Sequence, residues 1–171
     1  MVLINATDMS LGVRITFNQN LFNAICSDLS KFPVARACAA SSAVPGVLTP
    51  ITLKNYAGRC GFVLPPEYET LSPGYRMREM RESVMLVMDA DTKQSFHLID
   101  GGVADNLGLR AIEEAIDAVG NAWTSLKIMG REKVRKVVFI VVNAEAKIES
   151  SWNRTAIIPP LAAMILSLIH I

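Results

Sequence analysis

Asp100 closes an apolar run and is followed by two glycines, in the stretch FHLIDGGVADNLGLRAI. That order puts a carboxylate where a strand would end and leaves the next two positions without side chains. A carboxylate of ordinary pKa, near ~4, is ionised at neutral pH and accepts a proton from a hydroxyl. Two readings follow. In the first, Asp100 caps a turn, and Gly101 and Gly102 supply backbone of positive φ. In the second, Asp100 faces a cleft, and the glycines clear room for a substrate and another side chain. Asp-Gly-Gly alone does not choose between them.

The partner such an acid needs is a nucleophile. A serine exposed on a strand-to-helix turn is marked by G-x-S-x-G, and no serine of the 171 residues has that frame. Ser41 and Ser42, in AASSAVPG, lack a glycine two residues before them and read as structural. His97 reads as an alternating strand position. Cys26, Cys38 and Cys60 are widely spaced, with no C-x-x-C pair and only His97 and His170 as histidines. No zinc site or other cofactor is expected from them. They read as three buried or half-buried thiols, with one disulfide left open. Asp8 reads as the cap of an MSLG turn, with contact to the site as the alternative. Asp105 and Asn106 read as caps of a helix starting near Leu107.

These residues need elements to position them. VLINATD and VRITFN alternate apolar and polar residues around Gly12 and predict a hairpin. NLFNAICSDLS carries Leu21, Phe22, Ile25 and Leu29 at helical spacing, and Pro33 opens a second helix of small residues. Residues 55–82 read as one long irregular loop. SVMLVMDADTKQSFHLID reads as a second hairpin. Leu109, Ile112, Ile116 and Val119 share a helical face, with Glu113, Glu114 and Asp117 turned away and Gly120 as the stop. KVVFIVVNAE reads as a strand buried on both faces. The sum is an α/β domain, with a mixed sheet core and flanking helices.

Composition narrows the class. Half the residues, 51%, are hydrophobic and 19% are charged, which excludes disorder as the default. A net charge of +1 and 6% aromatic residues give no field or stacking surface for nucleic acid. The start, MVLINATDMS, lacks the layout of a secretory signal. Residues 151–171 read as a truncated apolar tail, too short and too proline-broken for the roughly 20 residues of a spanning helix. Its last six residues, LSLIHI, resemble translated adapter read-through and carry no weight. Lys127, Arg131, Lys133, Arg135 and Lys136 face one acid, Glu132. They read as a solvated edge, with anionic lipid headgroups as the alternative. The apolar residues between Phe62 and Met77 would shield a pocket, touch a bilayer or plug a core.

Three blocks then occur in order: INATDMSLGVRITF, FPVARACAASSAVPGVLTPITL and HLIDGGVADNLGLRAI. Together they resemble the later part of the patatin-like phospholipases. The resemblance spans roughly Val2 to Glu145 and implies a lipid acyl hydrolase with a Ser–Asp dyad, acting on a lipid or other acyl ester. It implies that residues 1–150 are the C-terminal part of such a domain. Asp100 falls on the family's catalytic acid, and Gly101 and Gly102 complete the motif as shape. The family's G-x-S-x-G serine and glycine-rich oxyanion segment are absent. The expectation is therefore a fragment, incomplete at its N-terminus and inactive alone. Peripheral membrane contact is compatible with it. The alternative is a non-catalytic α/β module that binds lipid or protein on the same scaffold.

Overall fold

The computed structural model describes residues 2–66, 75–117, 119–128 and 130–142. Strands β1 (Asn5–Asp8) and β2 (Arg14–Thr16) form the first expected hairpin, with Asn5 opposite Thr16 and Ala6 opposite Ile15. Asp8 builds the turn: its Oδ1 accepts from the amides of Ser10 (3.1 Å) and Leu11 (2.9 Å). Gly12, at φ +67°, closes it in a region that costs glycine least.

Helix α1 (Gln19–Ala24) is capped by Asn18, whose side chain accepts from the Leu21 amide at 2.9 Å. It is shorter than the apolar spacing predicts. Cys26 takes φ +51°, which breaks the right-handed helix, and Leu29 falls in a separate 3-10 turn capped by Asp28. Helix α2 (Val34–Ser41) begins behind Pro33 as expected. Its buried residues are Ala37 and Ala40, small enough to let it lie close to the sheet.

Strand β3 (Ile51–Lys54) follows, then α3 (Tyr75–Met88), β4 (Ser95–Ile99), α4 (Gly102–Asp105), α5 (Arg110–Asp117) and α6 (Ala122–Ile128). The sheet order is β2-β1-β4-β3 and every pairing is antiparallel. The chain is therefore α/β in content, but its described sheet is antiparallel rather than mixed. Phe96 and Leu98 of β4 face the core with Ala6, Ile15, Phe22 and Ile25, while His97 points to solvent. Phe32 bridges Phe17 and Phe22, each with ring centroids 5.4 Å away.

Three predicted elements differ. The second hairpin does not form, because SVMLVM is the end of α3. Within it Ser83, Val84, Val87 and Met88 are shielded, while Met85 and Leu86 are exposed. That is a 3-4 spacing, not an alternation. The predicted irregular stretch of 55–82 likewise gives way to α3 from Tyr75 onward; residues 67–74, with Tyr68 and Leu71, lie outside the described residues. Asp89 turns the chain from α3 into β4 by accepting from the Thr92 hydroxyl (2.7 Å) and amide (3.0 Å). The Thr92 hydroxyl bond, then the amide, holds its carboxyl below the usual range. The predicted buried strand of KVVFIVVNAE is not seen either. Residues 136–142 join no ladder and are exposed, and residues 143–145 lie outside the described residues, as does the 151–171 tail.

Cys26 and Cys60 are joined in a disulfide, and Cys38 is a free, exposed thiol. The expectation of three buried or half-buried thiols is thus corrected. The bond ties the chain after β3 to the end of α1, across a separation of 34 residues. Asn55 ties the same stretch to α3 and β4. Its Nδ2 donates to the carbonyls of Val87 (2.7 Å) and Lys93 (2.9 Å), and its Oδ1 accepts from Ala57 N (3.0 Å). Closing a loop of that length restricts the unfolded chain and stabilises by about 2–4 kcal/mol. Dithiothreitol is expected to lower the unfolding free energy measured in urea by that amount, and Cys60→Ser is expected to remove the response to reductant. A midpoint indifferent to reductant would count against the bond.

Candidate active site at the end of strand β4

Asp100 stands one residue beyond β4, half-buried, and three parts of the chain hold its backbone. Its amide donates to the Ala43 carbonyl at 2.9 Å, from the exit of α2. Its carbonyl accepts from the Thr7 hydroxyl at 2.8 Å, from β1. That Thr7 hydroxyl oxygen also accepts from the Ala104 amide at 3.1 Å, inside α4. The Gly101 amide donates to the Ser41 carbonyl at 3.1 Å. The three sequence blocks quoted above therefore meet at the backbone of Asp100.

The carboxylate is oriented from one side. Its Oδ1 accepts from the Gly102 amide at 2.7 Å, a turn of the kind short acidic side chains make. Its Oδ2 makes no hydrogen bond among the described residues. The two oxygens thus differ: Oδ1 is fixed by its own turn, and Oδ2 has no partner among the described residues.

Neither glycine is there for positive φ. Gly101 sits at φ −66°, and Gly102 is helical. Gly101 is needed for space: a Cβ on it would lie 2.5 Å from the Asn5 carbonyl oxygen of β1. A Cβ on Gly102 would meet only side-chain oxygens, Asp100 Oδ1 at 3.0 Å and Asn106 Oδ1 at 3.2 Å. The clearance that the sequence suggested for a substrate is, at Gly101, clearance for the neighbouring strand.

The other candidates do not gather at Asp100. Ser42 Oγ donates to the Cys38 carbonyl at 2.9 Å, back along its own helix. Ser41 contributes its carbonyl, as above. His97 points away on β4, with Nδ1 3.2 Å from Thr52 Oγ1. Asp105 caps α5 through the amides of Leu109 and Arg110, both at 3.1 Å. Arg14, expected only as a strand residue, pairs with Glu114 and lies 3.8 Å from Asp105. Glu114 was expected to point to solvent; it instead fastens α5 to β2. Among the described residues no group of His, Cys, Asp and Glu is arranged to hold a metal ion. No described helix is long and apolar enough to cross a membrane.

Asp8 caps its turn as expected, but it is fully buried and has a partner that the sequence did not reveal. Lys93 Nζ lies 2.9 Å from Asp8 Oδ1 and 2.6 Å from Ser10 Oγ, and 5.0 Å above the Phe96 ring. Asp8 Oδ2 has no hydrogen bond among the described residues. The signal for Lys93 was a lysine set at the entry of an apolar strand, which also fits a solvated turn.

No family model matches the chain, and neither does any curated protein or solved structure.

Two expectations follow. Lys93→Met removes the cation but leaves Asp8 buried, a change that costs about 3–5 kcal/mol; urea unfolding should show it, and Asp8→Asn in the same chain should restore part of it. Gly101→Ala should cost about 1–3 kcal/mol from forced displacement of β1. Gly102→Ala should cost less, since a helical glycine is itself about 1 kcal/mol worse than alanine. Equal losses at the two glycines would contradict the close approach at Gly101.

Proposed function

We propose that this chain is the acid-bearing part of a lipid acyl hydrolase of the patatin-like kind. Asp100 is the base of a Ser–Asp dyad whose serine lies on polypeptide other than these 171 residues. The observation that carries the reading is the convergence of the ATD, ASSAVPG and DGG blocks on the Asp100 backbone. With it comes a carboxylate that has one oxygen fixed by Gly102 and one unpartnered among the described residues.

The mechanism is acyl transfer. Asp100 Oδ2 takes the proton of the serine hydroxyl as its oxygen attacks the ester carbonyl. The proton then passes to the leaving alcohol. In the second half Asp100 takes a proton from water, which attacks the acyl-serine, and the serine is regenerated. No histidine is required, and His97 is turned towards Thr52. Rigid backbone anchoring of Asp100 serves this role because a base must reach within hydrogen-bond distance of the proton it removes. The substrate is a lipid or another acyl ester.

A second reading keeps one observation. Asp100 Oδ1 is engaged in its own turn, and no serine hydroxyl contacts the carboxylate among the described residues. On that reading the chain is a non-catalytic α/β module that binds lipid or protein.

The test is an ester assay with fluorophosphonate labelling. The 171-residue chain should neither hydrolyse a short p-nitrophenyl ester nor take the label. The same chain extended upstream by its native coding sequence should take the label on a serine outside these residues. Asp100→Asn should then lower kcat by roughly 10²–10⁴-fold, the usual contribution of a general base. Labelling of a serine inside the chain, or an extended protein with no label, would sink the proposal.

A further inference from the structure

Cys26 occupies a backbone site better suited to glycine. It follows α1 at φ +51°, and among the described residues every other positive φ belongs to a glycine. Two hydrogen bonds of the helix end fix it there. The Cys26 amide donates to the Asn23 carbonyl at 3.1 Å, and the Ser27 amide to the Phe22 carbonyl at 2.7 Å. That pair is the left-handed helix ending that glycine usually fills, and a side chain strains it. The Cys26 sulfur is thus placed by backbone bonds that do not need the disulfide.

The other half of the bond is anchored separately. The Tyr56 amide donates to the Ile25 carbonyl at 3.2 Å, and buried Asn55 is tied to Val87 and Lys93. These contacts hold the chain beside the end of α1 just before Cys60. Past Cys60 the tethers stop. Among the described residues, 61–65 make no hydrogen bond, and Phe62 packs against the core. Opening the disulfide therefore leaves both sulfurs close together and loosens only the chain that follows.

The two sulfurs are not equivalent. Cys60 is exposed and Cys26 half-buried. The Cys60 amide points at Cys26 Sγ from 3.2 Å, whereas Cys60 Sγ lies 3.8 Å from the Asn23 carbonyl oxygen. A donor favours negative charge on a sulfur and a carbonyl oxygen opposes it. Thiol exchange depends on both features: a thiolate attacks the accessible sulfur and expels the one that better carries charge.

We propose that Cys60 is a site of reversible modification by small thiols, with Cys26 as the leaving and resolving group. The sulfur of the small thiolate attacks Cys60 Sγ. A new S–S bond forms to Cys60 as the Cys26–Cys60 bond breaks, so the incoming sulfur is oxidised and the Cys26 sulfur reduced. The Cys26 thiolate is protonated by water. In the return step the Cys26 thiolate attacks Cys60 Sγ, restores the disulfide and expels the small thiol. No other oxidant or reductant enters. The proposal does not depend on the acyl-hydrolase reading, and its test uses no activity.

The experiment treats the full chain, carrying Cys38→Ser to remove the free thiol, with excess reduced glutathione and no denaturant. Samples are quenched in acid at short times, free thiols are alkylated, and peptides are mapped by mass. The expected product carries glutathione on Cys60 and the alkyl group on Cys26. Far-ultraviolet circular dichroism should stay unchanged as the bond opens. Acid-quenched protein that is desalted without alkylation and returned to neutral pH should lose glutathione and regain the disulfide with no oxidant added. Four results would overturn the proposal: glutathione on Cys26 or equally on both cysteines, opening only in denaturing urea, loss of the circular dichroism signal together with the bond, or an adduct that persists at neutral pH.

Discussion

At Gly101 the chain leaving β4 runs so close to β1 that a single methyl group would meet the Asn5 carbonyl oxygen. This approach lets one hydroxyl, that of Thr7, serve both the Asp100 carbonyl and the Ala104 amide. It also lets α4 start immediately behind the strand and brings the exit of α2 within hydrogen-bond reach of Asp100. The direction of the carboxylate follows from these backbone contacts, because Oδ1 is held by the first amide of α4. The site is therefore organised by the meeting of two strands and a helix end. Its side chains come second.

Away from that junction, buried polar contacts connect elements distant in sequence. Asp8 and Lys93 join the β1–β2 turn to the entry of β4. Arg14 joins β2 to α5 through Glu114, and Asn55 joins the end of β3 to the end of α3. Burying a charge is costly, and a buried ion pair does not by itself stabilise a fold relative to an apolar pair of the same shape. What such contacts supply is register. Asp8 can meet Lys93 only when β1 lies beside β4 in the observed alignment, with Asp8 opposite Leu98. The geometry at Asp100 depends on that same alignment.

Legibility in the sequence followed the range of the physics involved. The β1–β2 hairpin was readable because alternation and Gly12 are local. Helix α2 was readable from Pro33 and its small residues, and the cap at Asp105 from its place before an apolar helical stripe. The end of α3 was misread because SVMLVM is short enough to fit either period, and burial alone shows that Val84, Val87 and Met88 form one side. The disulfide could not be deduced, since three cysteines allow three pairings. The chosen one depends on α1 ending where the chain after β3 returns. The KVVFIVV run reads as a buried strand because composition reports what a segment would favour, and says nothing of whether a neighbouring strand is present.

The sequence by itself determined the α/β mixture, the hairpin and its turn, and the place of Asp100 at the end of an apolar run before two glycines. These depend on spacing and residue type over a few positions. Tertiary structure alone decided that the sheet is antiparallel, that Gly101 is a packing glycine, and that Thr7 and Ala43 anchor the acid. It also decided that Lys93 is buried against Asp8. The reason is common to all of them: each depends on two segments tens of residues apart arriving within a few ångströms, and no local pattern records which segments will meet.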